Sequence, residues 1–184
     1  MQVLIVDGYN VIHAWPRLKR ALSERGLEDS RRLLIQTLSE YAAQTGVAVT
    51  VVFDAHSRVG DRHAAETIDG VTVRYGTTTA SADHVIERLA NEASRRGNAA
   101  DVVVATGDRL QRSMVTAMGA GTMSAKALEE EVTRVASDTA DAARRHRDEA
   151  IGARRVEHQL DADVLRRLEA LRRGQPDGEG PSQS

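Results

Sequence analysis

Val3-Leu4-Ile5-Val6-Asp7-Gly8-Tyr9-Asn10-Val11-Ile12 is the stretch whose reading decides the fold. Its unbroken apolar run, rich in β-branched residues, suits a strand buried on both faces, as in a parallel sheet covered by helices. The run ends on an acid, and Gly8 permits a tight turn directly after it. The same pattern recurs twice downstream. Val49–Phe53 runs into Asp54, and Val102–Ala105 runs into Thr106-Gly107-Asp108. Weaker runs at Val71–Tyr75, after Asp69-Gly70, and at Gly121–Met123 predict a fourth and a short fifth strand.

Helical periodicity fills the intervals. Asp29-Ser30 is placed to cap a helix carrying Leu33, Leu34, Leu38, Tyr41 and Ala42, which ends at Gly46. Thr79–Ala82 leads into a second, with Val85, Ile86, Leu89, Ala90 and Ala93 on one face and Gly97 closing it. Asp108 opens a third and Ser124 caps a fourth. Alternation of strand and helix requires right-handed crossovers, so residues 1–136 are expected to form an α/β three-layer sandwich with a mostly parallel central sheet.

Composition sets the outer bounds. The chain has 184 residues with 25 Lys and Arg against 27 Asp and Glu, a formal charge of −2, which excludes a basic nucleic-acid arm and an acidic solvating protein. Zero cysteines exclude a disulfide framework, a thiolate zinc site and a cysteine nucleophile. The opening apolar run is far shorter than the roughly 18 residues of a membrane span and lacks a basic leader, so a cytoplasmic protein with no membrane partner is expected. From Asp138 to Arg173 the chain carries nine arginines and eight acids, with an apolar stripe at Leu160, Val164, Leu168 and Leu171. Residues 137–173 therefore read as a charged helical extension, suited to docking, self-association or a partner helix. Residues 174–184 read as a disordered tail.

Chemistry is concentrated in the acids. In parallel strands, Asp7, Asp54 and Asp108 emerge at the carboxyl edge of the sheet, where open α/β sheets bind ligands. Asp83, in the first turn of the second helix, reaches the same edge. Two carboxylates about 4 Å apart repel by roughly 4 kcal/mol at an effective dielectric near 20, and all-oxygen donors point to Mg²⁺ or Mn²⁺ as the compensating cation. Each acid also has a plainer reading: a turn at Asp7, a helix-dipole partner at Asp83, a cap or ion pair at Asp108, an exit turn at Asp54. Asn10 returns an amide toward Asp7. Tyr9 and Trp15 offer base-stacking surface, although Trp15 before Pro16 also reads as packing. Arg58, Arg62, Arg74, Arg109 and Arg112 fall near edge loops where they would meet phosphates, and His13, His56 and His63 are substrate-contact candidates.

Taken with Val51-Val52-Phe53-Asp54-Ala55-His56, Ala80-Ser81-Ala82-Asp83, Ala105-Thr106-Gly107-Asp108-Arg109 and Ser124-Ala125-Lys126-Ala127-Leu128, the opening motif resembles the NYN domains of the PIN-like fold. The closer resemblance is to their YacP-like group, over about residues 2–136. The resemblance implies a metal-dependent endoribonuclease, some relatives of which act on messenger RNA at the ribosome. It would assign metal binding and catalysis to Asp7, Asp83 and Asp108 with Asn10 in support, Asp54 lying at the periphery. The sequence departs from the pattern at Gly107, where serine is common, and at Gly76-Thr77-Thr78-Thr79, which replaces an acidic or glycine-rich stretch. Two other readings remain open: a non-catalytic RNA- or ribosome-binding module, and a receiver-like domain accepting phosphate on Asp54.

Overall fold

The computed structural model describes residues 2–54, 65–77 and 80–172. The order of elements is β1 (Val3–Asp7), α1 (Gly8–Ala14), α2 (Pro16–Arg25), α3 (Leu27–Thr45), β2 (Ala48–Phe53), β3 (Glu66–Ile68), β4 (Val71–Tyr75), α4 (Ala82–Arg95), β5 (Val102–Ala105), α5 (Arg109–Ala117), β6 (Gly121–Met123) and α6 (Ala125–Arg172). The sheet runs β3-β4-β2-β1-β5-β6, every pair parallel except the β3–β4 hairpin at the edge. This is the expected α/β class with a mostly parallel sheet.

Strand alternation divides the core into two layers. Leu4 and Val6 of β1, Val49, Val51 and Phe53 of β2 and Ala105 of β5 pack with α1–α3 and with Ala125, Leu128 and Val132 of α6. Ile5, Val52, Val102 and Val104 face the other way, against Ala82, Val85, Ile86 and Ala90 of α4 and Val115 of α5. Both faces of the central strands are therefore dry, which is why their sequence reads as unbroken apolar runs.

Three local expectations are corrected. No turn follows Asp7: α1 starts at Gly8, and Asp7 is its N-cap, accepting from the Asn10 backbone N–H. Gly8 serves close approach instead, since a Cβ there would overlap the Phe53 ring. The first long helix begins at Leu27 rather than after Ser30, whose hydroxyl donates to the carbonyls of Leu18 and Gly26 and tethers α3 to α2. Trp15 is no stacking surface. Its ring is buried in the core, and its Nε1–H donates to the Ala125 carbonyl at 2.7 Å, because a buried indole N–H must find an acceptor.

Contacts divide the chain into two compact units, Met1–Asp138 and Thr139–Ser184. In the second, the described residues continue α6 to Arg172, and the predicted disordered tail at 174–184 lies outside the described residues. Among the described side chains of α6, the buried anchors Ala125, Leu128 and Val132 all precede Asp138. A chain ending at Asp138 is therefore expected to keep a cooperative melt and an α/β circular dichroism spectrum. Loss of the melt would place part of the folding information beyond that residue.

Candidate active site at the carboxyl edge of the sheet

Parallel β1, β2, β4 and β5 bring their carboxyl ends to one edge. Asp7 is the last residue of β1, and Asp54 directly follows β2. After β4, the Ala80 N–H donates to Thr77 Oγ1 at 2.9 Å, and α4 starts at Ala82 with Asp83 in its first turn. Asp108 caps α5, its Oδ1 accepting from the N–H groups of Leu110 at 2.7 Å and Gln111 at 3.3 Å. Its capping role is thus real, and compatible with a second role through Oδ2.

Asp7 is the electrostatic centre of the group. Burial pushes its carboxyl above the ordinary value of 3.8, the Asn10 N–H bond opposes this, and the charges of Asp83 and Asp54 raise it further. Asp7 therefore feels two of the three other acids. The fourth, Asp108, is joined to the others through two buried polar residues. Thr106 Oγ1 lies 3.5 Å from Asp7 Oδ2 and accepts from the Asp108 N–H at 3.1 Å. Gln111 Nε2 donates to Asp83 Oδ1 at 2.7 Å while its backbone N–H donates to Asp108. Thr106 and Gln111 are 0% and 3% exposed. Nothing in the sequence marks either as part of the site.

Asn10 spans from α1 to the β5–α5 loop. Its Oδ1 accepts from the Gly107 N–H at 2.7 Å, and a Cβ at residue 107 would come within 2.6 Å of that oxygen. Asn10 thus organises the loop bearing Asp108 rather than turning its amide to Asp7, and glycine at 107 gives it room. Tyr9 is half-buried, its hydroxyl taken by Arg31, which sits within 5.8 Å of the ring centroids of Tyr9, Phe53 and Tyr75. Arg109 is exposed at the start of α5, Arg74 and Arg112 are half-buried, and His13 is exposed at the end of α1. Arg58, Arg62, His56 and His63 lie outside the described residues.

Comparison with known proteins adds the family. The sequence profile of the YacP-like NYN domain matches residues 4–173. The chain belongs to the YacP-like NYN domain family. It is 35% identical over 177 residues to the uncharacterized protein YacP of Bacillus subtilis (strain 168), covering 96% of this chain and all of that protein. It resembles the crystal structure of Rae1 (YacP) from Bacillus subtilis with a TM-score of 0.65 and 35% identity, over 95% of this chain and 96% of the other. A crystal structure of a single-substitution mutant of Rae1 matches with a TM-score of 0.61 and 36% identity, over 75% of this chain and 79% of the other. The family is nuclease-like, which displaces the receiver-like reading. Its match also runs well past residue 136, where the motif resemblance stops, so the family span takes in α6.

The donors agree in kind with a hard divalent cation, since Asp7, Asp83 and Asp108 supply only carboxylate oxygens. Among the described residues, however, no three His, Asp or Glu side chains stand close enough together to hold one ion. One oxygen of Asp83 and one of Asp108 is engaged by Gln111, so a shared ion requires rotation of side chains about those anchors. No helix among the described residues is long and apolar enough to cross a membrane.

Proposed function

We propose that this chain is a metal-dependent endoribonuclease of the cytoplasm, hydrolysing RNA phosphodiester bonds with Mg²⁺ or Mn²⁺ held by Asp7, Asp83 and Asp108. The observation carrying this reading is Asp7 itself: a largely buried acid at a strand end, pushed up by burial and by the charges of Asp83 and Asp54. A fold keeps acids in such an arrangement at a cost that a bound divalent cation would offset. When bound, that cation supplies Lewis-acid stabilisation of the charge developing on phosphate. The chain's own residues position the substrate. Asn10 fixes the loop through the Gly107 N–H, and exposed Arg109 beside Asp108 is placed for a phosphate. Leu110, 70% exposed next to it, offers an apolar contact for an unstacked base.

Messenger RNA engaged by the ribosome is the proposed target, with the charged extension serving recruitment or self-association. A second reading, a non-catalytic RNA-binding module, is favoured by the absence of a ready-made three-ligand group among the described residues. Labelled unstructured RNA, incubated with Mn²⁺ or with chelator, separates the two. Internal cuts that need Mn²⁺ and fall by about 10²-fold or more in Asp83→Asn are expected. RNA retention without cutting at any Mn²⁺ concentration would establish the binding module instead.

A further inference from the structure

Gln111 holds a polar side chain in the core at an unbalanced cost. Its residue is 3% exposed, and its Oε1 is buried with no hydrogen-bond partner among the described residues. Buried acceptors of this kind are destabilising, and natural cores remove them unless the other end of the group has a task. The other end is specific. Nε2 reaches from α5 across to α4 and donates to Asp83 Oδ1 at 2.7 Å, while the Gln111 backbone N–H donates to Asp108 Oδ1 at 3.3 Å. One residue therefore grips one oxygen of each of two acids that arrive on different helices. Asp83 is exposed and would otherwise rotate freely in water.

We infer that Gln111 is a positioning residue, fixing Asp83 relative to Asp108 so that their remaining oxygens can converge on one divalent cation. The inference rests on the proposed nuclease reading and deepens it. Carboxylates that bind metals are oriented by such outer hydrogen bonds, and losing one typically weakens affinity or activity about 10- to 100-fold. The geometry also makes an unusual stability forecast. Methionine at 111 preserves approximate volume, deletes the unpartnered Oε1 and leaves Asp83 to water, so the fold loses little or nothing.

The test compares wild type, Gln111→Met, Asp83→Asn and the double variant by thermal melting, by Mn²⁺ titration followed by electron paramagnetic resonance, and by RNA cleavage. Gln111→Met should melt at or above the wild-type temperature, bind Mn²⁺ about 10- to 100-fold more weakly and lose kcat rather than KM. In the Asp83→Asn background it should cause no further loss of Mn²⁺ affinity, because the group it positions is gone. Gln111→Met with wild-type Mn²⁺ affinity, or with a lowered melting temperature and full activity per folded molecule, overturns the inference while the nuclease reading stands. A wild-type protein that neither binds Mn²⁺ nor cuts RNA overturns the nuclease reading, and this inference with it.

Discussion

Replacing Asp7 by asparagine is expected to cut RNA cleavage by about 10²- to 10³-fold or more while the protein melts no lower than wild type at neutral pH. The two halves of this result have different causes. Activity falls because the proposed cation loses a charged donor at the electrostatic centre of the group. Stability holds because asparagine is as good an N-cap as aspartate, so the bond from the Asn10 N–H to the side-chain oxygen survives. Stability can even rise, since the wild-type carboxyl is held above 3.8 in the fold. An acid whose folded pKa is raised binds protons more tightly when folded. Its favourable contribution is present below about 3.8 and disappears as pH climbs through the folded value. Metal-free wild type should therefore lose melting temperature across that climb by more than Asp7→Asn does. Adding Mn²⁺ at neutral pH should raise the wild-type melt and leave the variant unmoved, because only a ligand bound to the folded state stabilises it. A variant that unfolds, with its residual folded fraction still cutting RNA, would make Asp7 a structural cap and nothing more.

What the sequence disclosed about this site follows from how its parts are built. Asp7, Asp54 and Asp108 are legible because each ends or follows an apolar run that has to be a buried strand, and parallel strands share an edge. Asp83 is legible because a β–α crossover brings a helix start back to that edge. Thr106 and Gln111 leave no such trace: polar residues at a loop and in a helix look solvent-facing until α4 and α5 are seen side by side. Arg31 is hidden for the same reason. In an apolar-striped helix it reads as surface charge, yet α3 packs it against Tyr9, Phe53 and Tyr75, three rings from three separate segments. The fold shows a parallel contrast. Strand β3, three residues with two of them exposed and paired only at the sheet edge, has no hydrophobic pattern to detect. Helix α1 is seven residues long and starts at a glycine with no linker after β1, against every ordinary start signal except the capping acid.

Gly8→Ala should be strongly damaging for so small a substitution, although alanine is the better helix former by about 0.5–1 kcal/mol. Gly8 is buried in the first turn of α1, where β1 hands over to the helix. A Cβ there would overlap Cε1 of Phe53 and sit 2.5 and 3.0 Å from its Cδ1 and Cζ, well inside contact distance. The ring has nowhere to retreat. Phe53 is fully buried, with the Tyr9 and Tyr75 rings at 5.5 and 5.8 Å and the Arg31 guanidinium at 5.2 Å. Overpacking of such a core costs about 1–3 kcal/mol, which for a chain of this size lowers the melting temperature by several degrees. The strain also falls where it harms function most, because Gly8 follows Asp7 and Phe53 precedes Asp54, so separating the two backbones separates two acids. Rescue tests the cause. Phe53→Leu alone opens a void and should destabilise, but combined with Gly8→Ala it supplies the room the new methyl needs, so the double variant should melt higher than the sum of the single losses predicts. Strictly additive losses would mean that the glycine is required for some reason other than its contact with that ring.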